Sequence, residues 1–175
     1  MRIRVAGVDD VAAMAGVHCT AALNAYAHIF PRDAEPPTPV SLAPEYTALV
    51  TDPLAEIYVA EDDGIIVGCI AFHPGIDVPS GWLLSHFYVA PLRWRSGIGA
   101  ALHDHLLGTA RAHELTSLHL WTLEANDRAR AMYERRGWQL VPGRRLVNGE
   151  FDPPIEDVLY EQNLTPPERL SDIRR

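Results

Sequence analysis

The residues best placed for chemistry are Gly97 and Gly99, which stand between a strand pattern ending at Val89 and an amphipathic helix. Glycine lets the backbone turn without a Cβ clash and lets a ligand approach the main chain closely. The first amides of the following helix lack internal partners and lie at its positive dipole end, where they favour an anion. This surface fits a diphosphate, although a G-x-G pair alone is equally compatible with an ordinary strand-to-helix turn.

Two common phosphate motifs and a metal site are disfavoured by the residues present. The dinucleotide fingerprint G-x-G-x-x-G requires glycine at position 102, which is Leu102, and it normally follows the first strand of a βαβ unit. A Walker loop requires a lysine, and the sequence contains none. His103 and His105 are two residues apart on a predicted helix, so their side chains point in different directions and predict no shared metal ion.

Length and composition predict one globular domain with a real core. A chain of 175 residues buries roughly two thirds of its unfolded surface, and 47% hydrophobic with 22% charged residues is typical of soluble proteins. The net charge of -8 disfavours nucleic acid as a partner and mildly favours a cationic substrate. No apolar run reaches membrane-spanning length and no secretory signal is visible, so we expect a cytoplasmic protein without a membrane partner. Cys19 and Cys69 predict buried free thiols.

The amino-terminal third predicts a strand, a helix and a long loop. Residues 2–5 alternate as a strand, and Asp9 or Asp10 is expected to cap a helix that ends near Phe30. His18 lies on the apolar stripe of that helix, which favours a hydrogen-bonded core histidine over a catalytic one.

The next part of the chain predicts a loop, a short helix and a hairpin. Residues 31–44 contain five prolines and predict a long loop, followed by a short helix to about Val50. The strands 57–60 and 65–72 flank Asp62-Asp63-Gly64, which is typical of a hairpin turn.

The second half predicts alternating strands and helices. A strand over 82–89 leads into the glycine turn, and a strand over 118–123 precedes a helix from Asn126 to about Arg136 that Gly137 ends. The apolar face of the helix after the glycine turn is expected to contain Ile98, Ala101, Leu102, His105, Leu106 and Ala110.

Two closing strands, 138–141 and 155–164, are predicted to join through a turn near Asn148-Gly149. We expect the domain to span residues 1–164, with a frayed tail over 165–175.

Two segments carry a resemblance to a known family. Phe87 to Pro91 leads to Gly97-Ile98-Gly99-Ala100-Ala101-Leu102, and Asn126 to Trp138 resembles the pattern N-x-x-A-x-x-x-Y-x-x-x-G-F/W. Together they resemble the Gcn5-related N-acetyltransferase (GNAT) superfamily, over nearly the whole chain. The resemblance implies an α/β (α+β) single domain with a mixed central sheet of about six to seven strands flanked by about four helices.

The resemblance also implies a reaction and its co-substrate. Members transfer an acetyl group from acetyl-CoA to an amine. The backbone of Tyr88 and Val89 would pair with the pantetheine arm like an added strand. Asn126 would bond to the pantetheine, besides its equally good role as a helix cap. Tyr133, seven residues later on nearly the same helix face, would be the general acid toward the CoA sulfur.

One departure from the family pattern concerns the phosphate site. The pattern Q/R-x-x-G-x-G/A has Gln or Arg where this chain has Trp94. Main-chain amides can still form the anion site, with Arg93 or Arg95 supplying charge and Trp94 packing under the turn. The predicted cofactor-binding residues are Tyr88, Val89, Arg93, Trp94, Arg95, Ser96, Gly97, Ile98, Gly99, Ala100 and Asn126.

The general base has two candidates. His86 lies two residues before Tyr88 on the same strand face, and an imidazole titrates near the pH needed to accept an ammonium proton, directly or through water. Glu124 follows the next strand, where it would bind the amine or act as the base; an exposed loop carboxylate is the alternative. The predicted catalytic residues are therefore Tyr133, His86 and Glu124.

The prediction is an acetyl-CoA-dependent N-acetyltransferase whose acceptor is a primary amine of a small molecule or a peptide amino terminus, by direct attack. The acceptor pocket would be built from the first helix, the Pro-rich loop and the Asn148-Gly149 turn. A non-catalytic CoA-binding regulatory or interaction module is the alternative, and a nucleotide-binding domain is a third. The length of the acyl group and a homodimer stay open.

Overall fold

One mixed sheet organises the residues that the computed structural model describes, 1–147 and 151–165. Its strands are β1 (Arg2–Val5), β2 (Glu56–Asp62), β3 (Ile65–Pro74), β4 (Trp82–Val89), β5 (Ser117–Leu123), β6 (Gln139–Leu146) and β7 (Glu156–Asn163). The helices are α1 (Val11–Tyr26), α2 (Pro39–Thr51), α3 (Ile98–Ala112) and α4 (Asp127–Arg135). The strand order is β1-β2-β3-β4-β5-β7-β6, with only the β4–β5 pair parallel. The predicted fold class is confirmed.

The end of α1 and the capping of its start differ from the prediction. Helix α1 ends at Tyr26 rather than near Phe30. Asp10 stands at its N-cap position but its side chain does not cap the helix. The carboxylate accepts instead from the Gly7 amide at 2.8 Å and from Arg4 at 2.7 and 2.8 Å, because a charged partner is a stronger donor than a helix amide.

The Pro-rich region is a loop only up to its middle, so the predicted loop over 31–44 is wrong at its end. Thr38 caps α2 by accepting from the Ser41 amide at 3.1 Å, and Pro39 takes the first helical position, where no N–H is needed. Pro44 lies inside α2 and forfeits one backbone hydrogen bond. The carbonyl left without that bond belongs to exposed Val40, which water can reach.

The predicted hairpin turn is present. Asp63 and Gly64 both have left-handed backbone, with φ of 50° and 76°, as a two-residue turn between antiparallel strands requires. Asp62 then pairs with Ile65 across the turn.

The sheet buries an apolar cluster on each face. Alternate residues of β2 enter different clusters: Tyr58 packs with α3 and α4, whereas Val59 packs with α1 and α2. On α3 the buried histidine is His103, not His105 as predicted, because its ring accepts from the indole N–H of Trp138 at 2.8 Å.

The two cysteines are free, but only one is fully buried. Cys69 lies in the core, whereas half-buried Cys19 donates to the Pro37 carbonyl at 2.9 Å. Within residues 1–147 and 151–165, no helix has the length and hydropathy needed to cross a membrane.

Strand β6 runs on to Leu146, beyond the predicted end at 141. The Asn148-Gly149 turn and nearly all of the predicted frayed tail lie outside the described residues.

The sheet opens between β4 and β5, and this opening positions the site. The parallel pair is joined at Leu83, opposite His119. Further along, Val89 and Leu123 line opposite sides of one cleft. A bulge in β4 accompanies the opening, because Ala71 pairs with His86 and Phe72 with Leu84, which leaves Ser85 without a partner on β3.

Candidate active site

A cleft of about 720 Å³ lies between the open ends of β4 and β5 and extends over the glycine turn and α4. Tyr133 and most of the predicted cofactor-binding residues line it, namely Tyr88, Val89, Arg93, Trp94, Arg95, Gly97, Gly99, Ala100 and Asn126. Ser96 and Ile98 do not: the Ser96 hydroxyl donates to the Arg93 carbonyl at 2.6 Å, and Ile98 is buried in the core. The fold therefore brings two distant sequence segments to one surface.

The glycine turn has the backbone that the sequence predicts. Gly97 has a φ of 88° and Arg95 a φ of 65°, so the main chain passes through the left-handed region twice before α3 begins. The amino end of α3 thus faces the cleft at Gly99 and Ala100, where its unpartnered amides and dipole favour an anion.

The Trp94 side chain links the glycine turn to the end of β4. Its indole N–H donates to the Val89 carbonyl at 2.7 Å, and the Arg128 guanidinium lies 3.6 Å from the ring centre. The residue that departs from the family pattern therefore ties the end of β4 to the turn and holds a cation beside it.

The cleft wall is strongly cationic at this end. Five arginines line it: Arg93, Arg95, Arg128, Arg135 and Arg136. Arg93 pairs with Asp62 and Arg136 with Asp104, but the salt bridges of the described residues include neither Arg95 nor Arg128. Burial lowers the pKa of Arg128, and the nearby charge of Arg95 lowers it further. An anion between these two guanidinium groups would relieve their repulsion.

Sequence reasoning did not identify Arg128. It stands inside the second motif, two residues after Asn126, but nothing in its spacing predicts a contact with Trp94. Only the docking of α4 against the glycine turn creates it.

Asn126 and Tyr133 are positioned by α4. The Asn126 side-chain oxygen accepts from the Ala129 amide at 3.3 Å, so it caps the helix as predicted. Tyr133 is 8% exposed, among the rings of Phe87, Trp138 and Tyr160 at centroid distances of 6.4, 5.8 and 6.3 Å. Burial raises the pKa of its hydroxyl above the ordinary tyrosine value, so the phenol keeps its proton at neutral pH.

Two further phenols share the cleft with Tyr133. Burial raises the pKa of both Tyr26 and Tyr88, and each hydroxyl lies near enough to alter the titration of the other. Tyr26 is the last residue of α1. Its position brings α1 to the same opening as β4.

His86 lies behind the cleft wall rather than on its surface. It is 5% exposed, and its neighbour Ser85 lines the cleft. The imidazole Nδ1 lies 2.9 Å from the Ser85 hydroxyl, and Nε2 lies 3.2 Å from a Glu45 carboxylate oxygen. Ser85 and Glu45 had no distinguishing sequence signal, because a β-bulge exposes one and α2 supplies the other.

His18 lies beside this group as a core histidine. Its ring stacks on Tyr88 at 3.7 Å, and its Nδ1 lies 3.3 Å from the Tyr46 hydroxyl. Burial lowers the pKa of His18 to about 4, so the imidazole is neutral at physiological pH.

Glu124 lies outside the residues that line the cleft. Arg144 donates to it with both terminal nitrogens and also to Glu156 at 2.7 Å. The hydrogen bond from Arg144 lowers the pKa of Glu124, which makes the carboxylate a weaker base. The predicted base role of Glu124 is thus less well supported than that of His86.

The opposite end of the cleft is lined by α1 and by the carboxyl-terminal strands. Asp157 accepts from Arg145 at 3.0 Å, and Arg145 lies over the Trp121 ring at 4.7 Å. The indole nitrogen of Trp121 is buried without a hydrogen-bond partner in the described residues. Of the predicted acceptor pocket, α1 lines the cleft, whereas the Pro-rich region 31–44 does not.

Within the described residues, no group of three metal-binding side chains is present.

Solved structures of similar shape include N-acetyltransferases. PaiA N-acetyltransferase from Thermoplasma acidophilum, solved in complex with coenzyme A, superposes with a TM-score of 0.71 at 16% identity, covering 93% of this chain and 98% of that one. Ribosomal-protein-alanine N-acetyltransferase from Brucella melitensis gives a TM-score of 0.73 at 21% identity, covering 93% and 99%. At these identities the likeness shows the fold.

Sequence comparison identifies the family as well as the fold. The probable N-acetyltransferase Rv2775 of Mycobacterium tuberculosis (strain ATCC 25618 / H37Rv) is 31% identical over 91 residues, which is 52% of this chain and 50% of that protein. The chain thus matches about half the length of this relative. Residues 21–138 match the acetyltransferase (GNAT) family, and this range holds β4, the glycine turn and the whole Asn126 to Trp138 motif. Because the match spans well over half of the chain and includes both motifs that line the cleft, the chain belongs to the acetyltransferase (GNAT) family.

Proposed function

We propose that this protein transfers the acetyl group of acetyl-CoA to a primary amine by direct attack. The observation that carries the proposal is that one cleft contains three parts. These are the glycine turn with its arginines, the buried Tyr133 that would act as the acid, and an open end beside α1. A thioester held between the first two would present its carbonyl carbon to an amine that enters from the third.

The end of the cleft beside the glycine turn has groups that suit the diphosphate and the pantetheine arm of CoA. Arg95, Arg128 and the amino end of α3 would bind the diphosphate. Within the described pairing, β4 has no β5 partner beyond Leu83, so the pantetheine arm is proposed to lie along β4 at Tyr88 and Val89, where the Val89 carbonyl already accepts from Trp94. Asn126 would add a hydrogen bond from its side-chain amide. The bound thioester supplies the activated acetyl group.

The reaction requires two proton transfers at opposite sides of the carbonyl carbon. The amine must lose a proton to become a nucleophile, and the departing thiolate must gain one. Tyr133 is proposed to supply the second, because burial keeps its hydroxyl protonated. His86 is proposed to serve the first, with Glu124 retained as the weaker candidate.

The acceptor is proposed to be a small-molecule amine or a peptide amino terminus. Asp157 at the open end is ion-paired with Arg145, and Tyr26, Phe30 and Trp121 supply aromatic surface there. An amine that carries an apolar group fits this surface. One similar structure is named for ribosomal-protein alanine, which is consistent with a peptide amino terminus.

A binding test separates CoA from other diphosphates. Saturating CoA is expected to raise the melting temperature of the protein, whereas NAD and ATP are not, because only CoA has the pantetheine arm that pairs with β4. At a ligand concentration of 100 times Kd the stabilisation is about 2.7 kcal/mol. Differential scanning fluorimetry measures it, and a shift with NAD or ATP but not with CoA would contradict the assignment.

Turnover is tested by release of free thiol from acetyl-CoA across a panel of amines and peptides. An active enzyme releases thiol only with an accepted amine. A melting shift with CoA but no thiol release from any acceptor would instead support the non-catalytic CoA-binding module.

Glu124→Gln is expected to leave kcat within about twofold, because the Glu124 carboxylate is ion-paired with Arg144 and lies away from the cleft lining. Steady-state kinetics with the best amine measures this. Glu156→Gln is the matched control, since it removes the second carboxylate bound to Arg144. A large fall in kcat for Glu124→Gln alone would restore Glu124 as the base.

A further inference from the structure

The bulge in β4 places the neighbouring side chains of Ser85 and His86 in different surroundings. Ser85 stands at the unpaired position and lines the cleft, while His86 is buried beneath it. A bulge places an extra residue in one strand and re-aims its side chain. The hydroxyl is therefore presented to the acceptor space while the imidazole stays out of it.

The hydrogen bonds of His86 define its tautomer. The hydrogen bond from His86 lowers the pKa of Glu45, so that carboxylate is ionised and can only accept. The proton of neutral His86 then lies on Nε2, which faces a Glu45 carboxylate oxygen 3.2 Å away. Nδ1 is left with a lone pair, and the Ser85 hydroxyl donates to it at 2.9 Å.

The other groups that face His86 are neutral at physiological pH. Tyr46 from α2 and Tyr88 from β4 have ring centres 4.9 and 6.2 Å away, and burial raises the pKa of both. His18 from α1 is 5.8 Å away with a pKa lowered to about 4. Glu45 is thus the charged partner that stabilises an imidazolium at this position.

We infer that Ser85, His86 and Glu45 form a relay that removes the proton of the acceptor amine. The inference rests on the proposed acetyltransferase function. Ser85 is the catalytic residue, because it touches the amine, His86 receives the proton through it, and Glu45 is a positioning residue. The arrangement resembles in its roles the hydroxyl, imidazole and carboxylate of a hydrolytic triad, but Ser85 passes a proton and is not acylated.

The proton balance of the reaction closes. The substrate ammonium gives one proton to Ser85 Oγ while the Ser85 hydroxyl proton moves to His86 Nδ1. The neutral amine then forms the C–N bond, and the C–S bond breaks as the intermediate collapses. Tyr133 gives its proton to the sulfur and regains one from the former amine nitrogen. After the amide product leaves, the imidazolium returns its Nδ1 proton through the Ser85 hydroxyl to water, which restores the Nε2–H tautomer beside Glu45 and releases one proton in each turnover.

Ser85→Ala tests the hydroxyl directly. We expect kcat with the best amine to fall by about 10²-fold, the lower end for general base catalysis, while the melting shift produced by CoA is unchanged. Ser85→Thr keeps a hydroxyl and should restore most of kcat. Ser117→Ala is the matched control, because it removes a hydroxyl from neighbouring β5 outside the cleft lining.

Glu45→Gln tests the carboxylate through the pH profile of kcat. Removing the anion takes a negative charge away from the imidazole, so the ascending limb should move to lower pH and the plateau should fall with the weaker base. Glu114→Gln, two residues beyond the end of α3, removes an exposed carboxylate as the control.

The outcomes separate the relay from the proposed function. If the wild-type protein acetylates no amine, the function is wrong. If it does, and Ser85→Ala keeps wild-type kcat or Glu45→Gln keeps the wild-type pH profile, the relay is wrong. If Ser85→Ala does not fold, Ser85→Gly and Glu45→Gln are measured instead. An unchanged kcat for Ser85→Gly and an unchanged pH profile for Glu45→Gln would then overturn the relay.

Discussion

Replacing Tyr133 by phenylalanine is expected to lower kcat by about 10²- to 10⁴-fold, the usual value of general acid assistance. The substitution removes one oxygen and keeps the ring among Phe87, Trp138 and Tyr160. A thiolate that leaves without this proton is a poorer leaving group, so only the chemical step is slowed. Steady-state kinetics at saturating substrates, with the CoA melting shift as the binding readout, measures the effect.

Tyr160→Phe is the matched control for this experiment. The Tyr160 hydroxyl donates to Glu134 at 2.7 Å and accepts from Arg130 at 3.1 Å, and its ring lies beside that of Tyr133. Its loss should cost about 1 kcal/mol of stability and leave kcat nearly intact. If Tyr133→Phe behaves in the same way, Tyr133 is structural and the acid is another group or water.

Gly99→Val is expected to weaken CoA binding by at least tenfold, or about 1.4 kcal/mol, and to abolish the melting shift at CoA concentrations that saturate the wild type. Gly99 lines the cleft in the first turn of α3, and a Cβ there would already lie 3.6 Å from the Phe87 ring and 3.7 Å from a Val89 methyl. The two further methyl groups of valine must project into the space where the phosphates approach the main chain. Isothermal titration with CoA gives the change in Kd directly.

Gly108→Val separates this obstruction from the intrinsic cost of valine in a helix. Gly108 lies on the exposed side of the same α3, with no atom within 4 Å of an added Cβ. Both variants change helix propensity alike, so only Gly99→Val should lose CoA. Equal effects of the two variants would place the diphosphate away from the glycine turn.

Local patterns in the sequence predict the parts of this fold whose conformation depends on near neighbours. The Asp63-Gly64 turn, the strand over 82–89 and the helix stop at Gly137 follow from the left-handed freedom of glycine and from alternation along a strand. The order of elements follows from the resemblance of two motifs, which also predicts that Gly97 and Tyr133 share one surface.

Other predictions were wrong, or could not be made from sequence, because residues distant in the chain determine these features. Pro44 continues α2, since capping and tertiary packing outweigh one lost hydrogen bond. His103 replaces His105 in the core, since Trp138 provides its partner. The ion pair of Glu124 depends on Arg144 across the sheet.

The sequence by itself determined the family, the glycine turn and the α4 face that carries Asn126 and Tyr133, because each is encoded within a few consecutive residues. Only the tertiary structure decided what surrounds them. The opening between β4 and β5 creates the cleft, the docking of α4 brings Arg128 onto Trp94, and the bulge at Ser85 with α2 behind it sets Glu45 against His86. These contacts join residues far apart in the chain, and their energies depend on burial and charge that no local spacing records.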